Sequence, residues 1–240
     1  MSSSGPASKR KMSHKSTSRE SAKRVKEEDQ KRDPCLYFLS KKPNEWIAFS
    51  NFWHGSGSIG IKKEEKMVTY WRKHVPDGTT PHMNPLAYGE RLFSSVEHMY
   101  QWLKIAEGLG LVTYADDTIL RAESAKAAKS ATSQTNLINY LITTPERSEE
   151  SKASIKRWLV AEFARFQEED LSREWMTTAL KLKYSWTHNP GLAHYLVSTG
   201  SAPLGEAVNR GQASYWNKKG QNTLGILLMQ IRNNLLATLP

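Results

Sequence analysis

Glu97, Gln101 and Lys104 follow one another at spacings of four and three within the run Ser94–Lys104. Seven helical residues turn through almost two revolutions, so Glu97 and Lys104 share a face. They stand roughly 10 Å apart along the axis, too far for a direct salt bridge but able to converge on one ligand. Tyr100 borders the same face. Taken alone, a polar stripe of this kind is most often a solvated surface. Two further segments are unusual. Phe49-Ser50-Asn51-Phe52 sets an amide between two aromatics, although a buried turn capped by Asn51 would look the same. The stretch 199–232 places Glu206, Tyr215, Trp216, Gly220, Asn222 and Gly225 at one loop-to-helix junction, where a glycine-containing connection with a core Trp is the plainer reading. The chain has no Gly-x-Ser-x-Gly elbow, no Walker loop and no His-Glu-x-x-His. Its seven histidines lack metal-ligand spacings, so no metal and no cofactor are expected.

Helices must position most of these residues. Ser94 or Ser95 caps a helix running to about Glu107, where Gly108 and Gly110 stop it. Glu97 lies three residues after Ser94, as a capping box requires, which gives Glu97 a purely structural alternative. Val96, Met99, Leu103 and Ala106 form its apolar stripe. Further helices are expected at 119–130, 133–142 and 149–168, the last with Ile155, Leu159, Phe163 and Phe166 facing the core. Ser172 is expected to cap a helix to about Tyr184, with Met176, Leu180 and Tyr184 on one side. Asn189 and Pro190 open a short helix that ends near Gly200. Asn222 opens a last helix to about Leu236, burying Leu224, Leu228, Ile231 and Leu235. Gly225 costs that helix about 1 kcal/mol relative to Ala, so a close packing partner or a ligand is expected beside it. Tyr37–Leu39, Trp46–Phe49 and Val68–Trp71 read as short strands, with Gly55, Gly57 and Gly60 in turns. Residues 73–90, with three prolines and two glycines, read as a long loop.

Composition sets outer bounds. The 240 residues carry 34 Lys and Arg against 24 Asp and Glu, a formal net charge of +10. Residues 1–33 hold ten of the cations and five of the acids, and no Trp, Tyr, Phe, Leu or Ile. Such a segment cannot bury enough apolar surface to offset the entropy of ordering. Residues 1–34 are therefore expected to be a disordered basic tail, and 35–240 one folded domain of mainly α (α+β) class, multihelical with a few short strands near its beginning. Lys9-Arg10-Lys11 and Lys23-Arg24 fit a nuclear-localisation signal, a phosphate-binding arm for nucleic acid, or a solubilising tail. No stretch approaches the ~20 apolar residues of a membrane helix, and no apolar leader opens the chain. The single cysteine, Cys35, excludes a disulfide framework. An intracellular setting, cytoplasmic or nuclear, is expected.

The unusual segments together resemble the NADAR family (NAD- and ADP-ribose-associated, YbiA-like proteins). The resemblance rests on Phe49-Ser50-Asn51-Phe52; Ser95-Val96-Glu97-His98 with Gln101 and Lys104; Lys183-Tyr184, Asn189 and Leu192; Thr199-Gly200 and Leu204-x-Glu206; Tyr215-Trp216; and Gly220-x-Asn222-x-Leu224-Gly225, continuing through Ile231-Arg232. It covers roughly residues 37–236, and it is the order and spacing of the blocks that make it specific. It implies a compact YbiA-like helical fold and a hydrolase acting on N-glycosidic bonds of nucleotide-like ribose, either in riboflavin-pathway intermediates or in ADP-ribosyl-guanine of nucleic acid. It also implies catalytic roles for Glu97 and Lys104, with Lys104 forming a Schiff base with the opened ribose, and substrate binding by Trp216 and Asn222.

The chemistry suits those roles. Breaking a ribose–base bond builds positive charge at the anomeric carbon, which Glu97 can stabilise while assisting proton transfer. Lys104 needs a lowered pKa to attack carbon, and burial supplies one. Phe52, Tyr100 and Trp216 can stack on a base or cover a ribose, and Asn51 and Asn222 can hydrogen-bond hydroxyls or base edges. The sequence departs from the family pattern at Ala213, where an acid is common, at Asn217, where Gly is common, and in the short loop Lys218-Lys219-Gly220. The enzyme reading, an N-glycosidase, rests on Glu97 and Lys104. A binding module for ADP-ribose or nucleotide, without turnover, is favoured by Ala213. A nucleic-acid platform led by residues 1–33 is the third reading, and it coexists with the first.

Overall fold

The computed structural model describes residues 36–39, 83–144, 147, 150–207 and 222–240. The first described element is β1, Leu36–Leu39, at the place where the sequence predicts a strand. The strands expected at Trp46–Phe49 and Val68–Trp71, and the tail expected over 1–34, lie outside the described residues.

The end of the expected loop is ordered as a hairpin. β2, Leu86–Tyr88, pairs antiparallel with β3, Arg91–Phe93, with Tyr88 opposite Arg91. Gly89 makes this two-residue turn possible by adopting φ +59, which costs a glycine nothing.

Helix α1, Val96–Ala106, follows at once. Ser95 is its cap, and its hydroxyl accepts the His98 amide at 3.2 Å. The cap is thus Ser95 rather than Ser94. This moves Glu97 to the second helical position and takes it out of the capping box. The expected apolar stripe is buried, yet so are Glu97, His98 and Gln101 on the other faces. Only a helix enclosed on all sides buries such residues. α1 packs on the helices Leu171–Lys183 and Ala125–Ala131 and on the π-helical stretch described next.

The helix expected at 119–130 begins earlier and is broken. α2, Val112–Tyr114, widens into a π-helical stretch, Ala115–Leu120, and α3 covers only Ala125–Ala131, capped by Ser124. Ala115 and Ile119 point into the core from the wider turn. α4, Gln134–Leu141, and α5, Lys152–Glu168, start after Ser133 and Ser151, whose hydroxyls cap them. Ile155, Leu159 and Phe166 of α5 are buried as expected, while Phe163 is half-buried.

α6, Leu171–Lys183, does not use Ser172 as a cap. Ser172 is buried inside the helix, and Asp170 holds the cap position in a left-handed conformation, φ 56. α7, Pro190–Val197, follows Asn189, whose side chain makes no capping bond. Asn189 Oδ1 instead accepts the Asn84 amide at 2.6 Å, while its Nδ2 donates to the Leu182 carbonyl. This buried side chain fastens the segment before the hairpin to the end of α6.

The strands are not confined to the beginning of the chain. β4, Leu204–Ala207, runs parallel to β1 with Leu36 opposite Leu204. α8, Thr223–Ala237, packs on β4 and α7 and buries Leu224, Leu228, Ile231 and Leu235 as expected. Arg232 is buried with them; its Nη1 donates to Thr199 Oγ1 at 2.8 Å and to the Ala202 carbonyl at 2.7 Å.

Gly225 is explained by packing. A Cβ there would collide with the Leu204 carbonyl and with the Asn222 amide. Its backbone lies outside the left-handed region, so space alone forbids a side chain. Gly225→Ala is therefore expected to lose about 1–3 kcal/mol, overpacking outweighing the better helix propensity. Urea denaturation checks this, and a midpoint at or above wild type would show that β4 gives way at no cost. The described part of the molecule is thus mainly helical, with two small two-stranded sheets.

Candidate active site

Three contacts fix the rotation of α1 about its axis. The His98 ring lies 2.9 Å from Ser95 Oγ at Nδ1 and 3.0 Å from the Ala122 carbonyl at Nε2. A carbonyl only accepts, so Nε2 donates to Ala122. The Trp102 indole donates to Asp116 Oδ1 at 2.8 Å, and Arg91 grips the same carboxylate with two bonds of 2.7 Å. The Arg91 guanidinium, then the indole N–H, hold the Asp116 carboxyl below the usual carboxylate range. Arg91 also lies over the Trp102 ring at 4.7 Å, and Phe93 packs beside it. The hairpin and the π-helical stretch thereby anchor one side of α1 and turn its other side towards α3.

That other side is the polar stripe, and it is not a solvated surface. Glu97 is 1% exposed and Gln101 3%. Gln101 Nε2 donates to Glu97 Oε1 at 2.8 Å. Across the helix pair, Thr132 Oγ1 lies 2.7 Å from Gln101 Oε1. Lys104 Nζ donates to the same hydroxyl at 3.2 Å. Glu97 and Lys104, too distant to touch, are thus joined through Gln101 and Thr132. Lys129 of α3, half exposed, brings its ammonium to 3.6 Å from Glu97 Oε1. Burying a carboxylate is costly unless cations and donors surround it, and this arrangement supplies both.

The surroundings of Lys104 also shift its titration. Burial pulls its pKa from the usual 10.5 down to about 8; Glu97 opposes that fall and Lys129 assists it. Its ammonium sits over two rings, Phe163 at 5.3 Å and Tyr100 at 5.9 Å. A second lysine, Lys183 at the end of α6, is wholly buried, and its pKa falls to about 7 from burial.

Of the site residues predicted from sequence, the structure brings Glu97, Lys104 and Tyr100 together. Asn222 serves a structural contact: its Nδ2 donates to the Leu204 carbonyl at 2.7 Å, from a backbone in the left-handed region. Asn51, Phe52 and Trp216 lie outside the described residues, as does Ala213. Thr132 and Lys129 are the members that sequence reading missed. They lie 28 and 25 positions beyond Lys104 in the chain. Among the described residues, no group of three or more His, Cys, Asp or Glu is placed to hold a metal ion. No described helix is long and apolar enough to cross a membrane.

No family model matches the sequence, and no curated protein matches it. Among solved structures, the chain is similar to the NMR structure of the Escherichia coli protein YbiA, with 20% identity over 86% of this chain and 88% of that one, at a TM-score of 0.47.

Proposed function

We propose that the chain is a NADAR-type N-glycosidase, cleaving the bond between a base and an ADP-ribosyl or nucleotide-like ribose. The observation that carries this reading is the buried link Glu97–Gln101–Thr132–Lys104, which ends in an amine whose pKa is about 8. A solvated stripe would have none of these features.

In this mechanism the neutral Lys104 amine attacks C1′ as the bond to the base breaks. The base leaves with the bonding electrons and receives the proton that the amine gives up, with Glu97 passing it on. Glu97 also faces the positive charge that grows at C1′ in the transition state. Ring opening then moves the remaining N–H proton to O4′ and leaves a C1′=N imine on Lys104. Water adds to the imine carbon, releasing the sugar aldehyde and restoring the amine.

Ala213, which stands where the family commonly has an acid, favours the second reading, a module that binds nucleotide without turnover. The basic tail supports delivery of the domain to nucleic acid, in the nucleus or cytoplasm. One experiment separates these readings. Purified protein, with and without residues 1–33, is incubated with guanine-ADP-ribosylated DNA and with ribosylamino-pyrimidine phosphates. Released base or ADP-ribose is followed by chromatography and mass spectrometry. Release from one substrate class establishes the glycosidase and selects the class. Binding of ADP-ribose without release supports the second reading. Strongly salt-dependent DNA binding that disappears with the tail assigns residues 1–33 to nucleic acid.

A further inference from the structure

We infer that Thr132 is a positioning residue that aims the Lys104 amine, an inference that rests on reading Lys104 as the nucleophile. Thr132 caps the C-terminus of α3 and is 6% exposed. Its hydroxyl has one proton and three neighbours: Gln101 Oε1 at 2.7 Å, the Lys129 carbonyl at 3.0 Å and Lys104 Nζ at 3.2 Å. The orientation of the Gln101 amide is fixed, because its Nε2 meets the Glu97 carboxylate, which accepts. Gln101 therefore presents its oxygen to Thr132. The Lys129 carbonyl is an acceptor as well. Whichever of the two takes the hydroxyl proton, Thr132 faces Lys104 only as an acceptor.

The consequence is directional. A neutral amine has two N–H bonds and one lone pair. Thr132 engages an N–H and leaves the lone pair pointing elsewhere, where an electrophilic carbon can meet it. A donor at the same place would have taken up the lone pair and silenced the nucleophile. The charged groups bearing on Lys104 are Glu97 from its own helix and Lys129 from α3. From α5 comes the uncharged Phe163 ring, and Asp116 of the π-helical stretch is turned to Trp102 and Arg91. Thr132 adds no charge to this set. It sets direction, and a misaimed attack costs rate far more than it costs binding.

The test reads imine formation directly on the full chain. Ribose 5-phosphate is the probe: its open-chain aldehyde condenses with the Lys104 amine, losing water, and added borohydride delivers hydride to the imine carbon. The secondary amine that results is counted by mass spectrometry of the intact protein. Thr132→Val is expected to slow trapping roughly 10- to 100-fold at saturating probe, with little change in the half-saturating concentration. Thr132→Ser, which keeps the hydroxyl, restores the wild-type rate. Thr132→Ala removes the hydroxyl without adding a methyl and shows the same loss as Thr132→Val, should the latter melt below the assay temperature. Wild-type trapping by either hydroxyl-free variant, with Lys104→Met inert, overturns the role of Thr132 and leaves the nucleophile standing. Wild-type trapping by Lys104→Met overturns the nucleophile itself.

Discussion

Lys104→Met is expected to lose turnover by a factor on the order of 10⁴ or more, to form no trappable imine, and to fold more stably than the wild type at pH 7. Methionine fills the space of the lysine stem and removes only the amine. The loss of rate follows because, of the described residues on this face of α1, Lys104 alone carries an amine; the Gln101 nitrogen is an amide and is not nucleophilic. The gain in stability follows from the sign of the pKa shift. Lys104 titrates near 10.5 when unfolded and near 8 when folded. Below pH 8 the folded protein holds an ammonium where solvation is poor, so the full penalty applies. Between pH 8 and 10.5 the unfolded chain binds more protons than the folded one, so wild-type stability rises with pH across that window. The variant lacks this dependence. Its advantage in Tm is therefore largest below pH 8 and fades towards pH 10.5. Lys183 has its own window, from about 7 upward, but it is present in both proteins and cancels in the comparison. Wild-type imine formation, in turn, rises with pH through about 8, as protonated lysine gives way to amine. Thermal melts and trapping rates between pH 6 and 10 check both halves. A variant less stable than wild type at pH 7 would mean that the ammonium is a structural member of the network rather than a strained one.

Parts of this site were legible in the sequence because they are local. The spacing of Glu97, Gln101 and Lys104 places them on one face of a helix whatever surrounds it, and serine before a helical period marks its start. What the spacing could not say is whether that face is wet. Burial is decided by α3, whose Thr132 and Lys129 arrive from a separate element. The same limit explains the missed strand pair. β1 and β4 lie more than 160 residues apart, and their parallel pairing has no local signature. The helix expected at 119–130 failed for a different reason. The π-helical stretch at Ala115–Leu120 breaks the 3.6-residue period that such a reading counts on. Asp170 and Asn222 hold left-handed conformations at helix starts, where sequence rules look for a side-chain cap. At Asn222 the rule failed because the amide is engaged by Leu204, the same carbonyl that excludes a side chain at Gly225.

Glu97→Gln tests the other end of the network and is expected to separate two steps that Lys104→Met abolishes together. Glutamine is chosen over alanine because it can still accept from Gln101 Nε2, whereas alanine would leave a buried N–H without a partner. In the proposed mechanism, the substitution removes the negative charge that faces the reacting carbon and the group that passes the proton to the leaving base. Glycosidic cleavage is expected to fall about 10²- to 10⁴-fold. Lys104, however, also loses the one charge that holds its pKa up, so its pKa drops below 8 and more of it is neutral at pH 7. Trapping of ribose 5-phosphate, which has no base to expel, is therefore kept or raised at pH 7, and its acid limb moves to lower pH. The two readouts part in opposite directions from a single substitution. Had Glu97 served only to hold α1 against α3, both would fall together with the melting temperature. Had it served only to tune Lys104, cleavage would rise with trapping. Loss of cleavage with preserved trapping is the outcome that only a carboxylate acting on the leaving base and the anomeric charge produces.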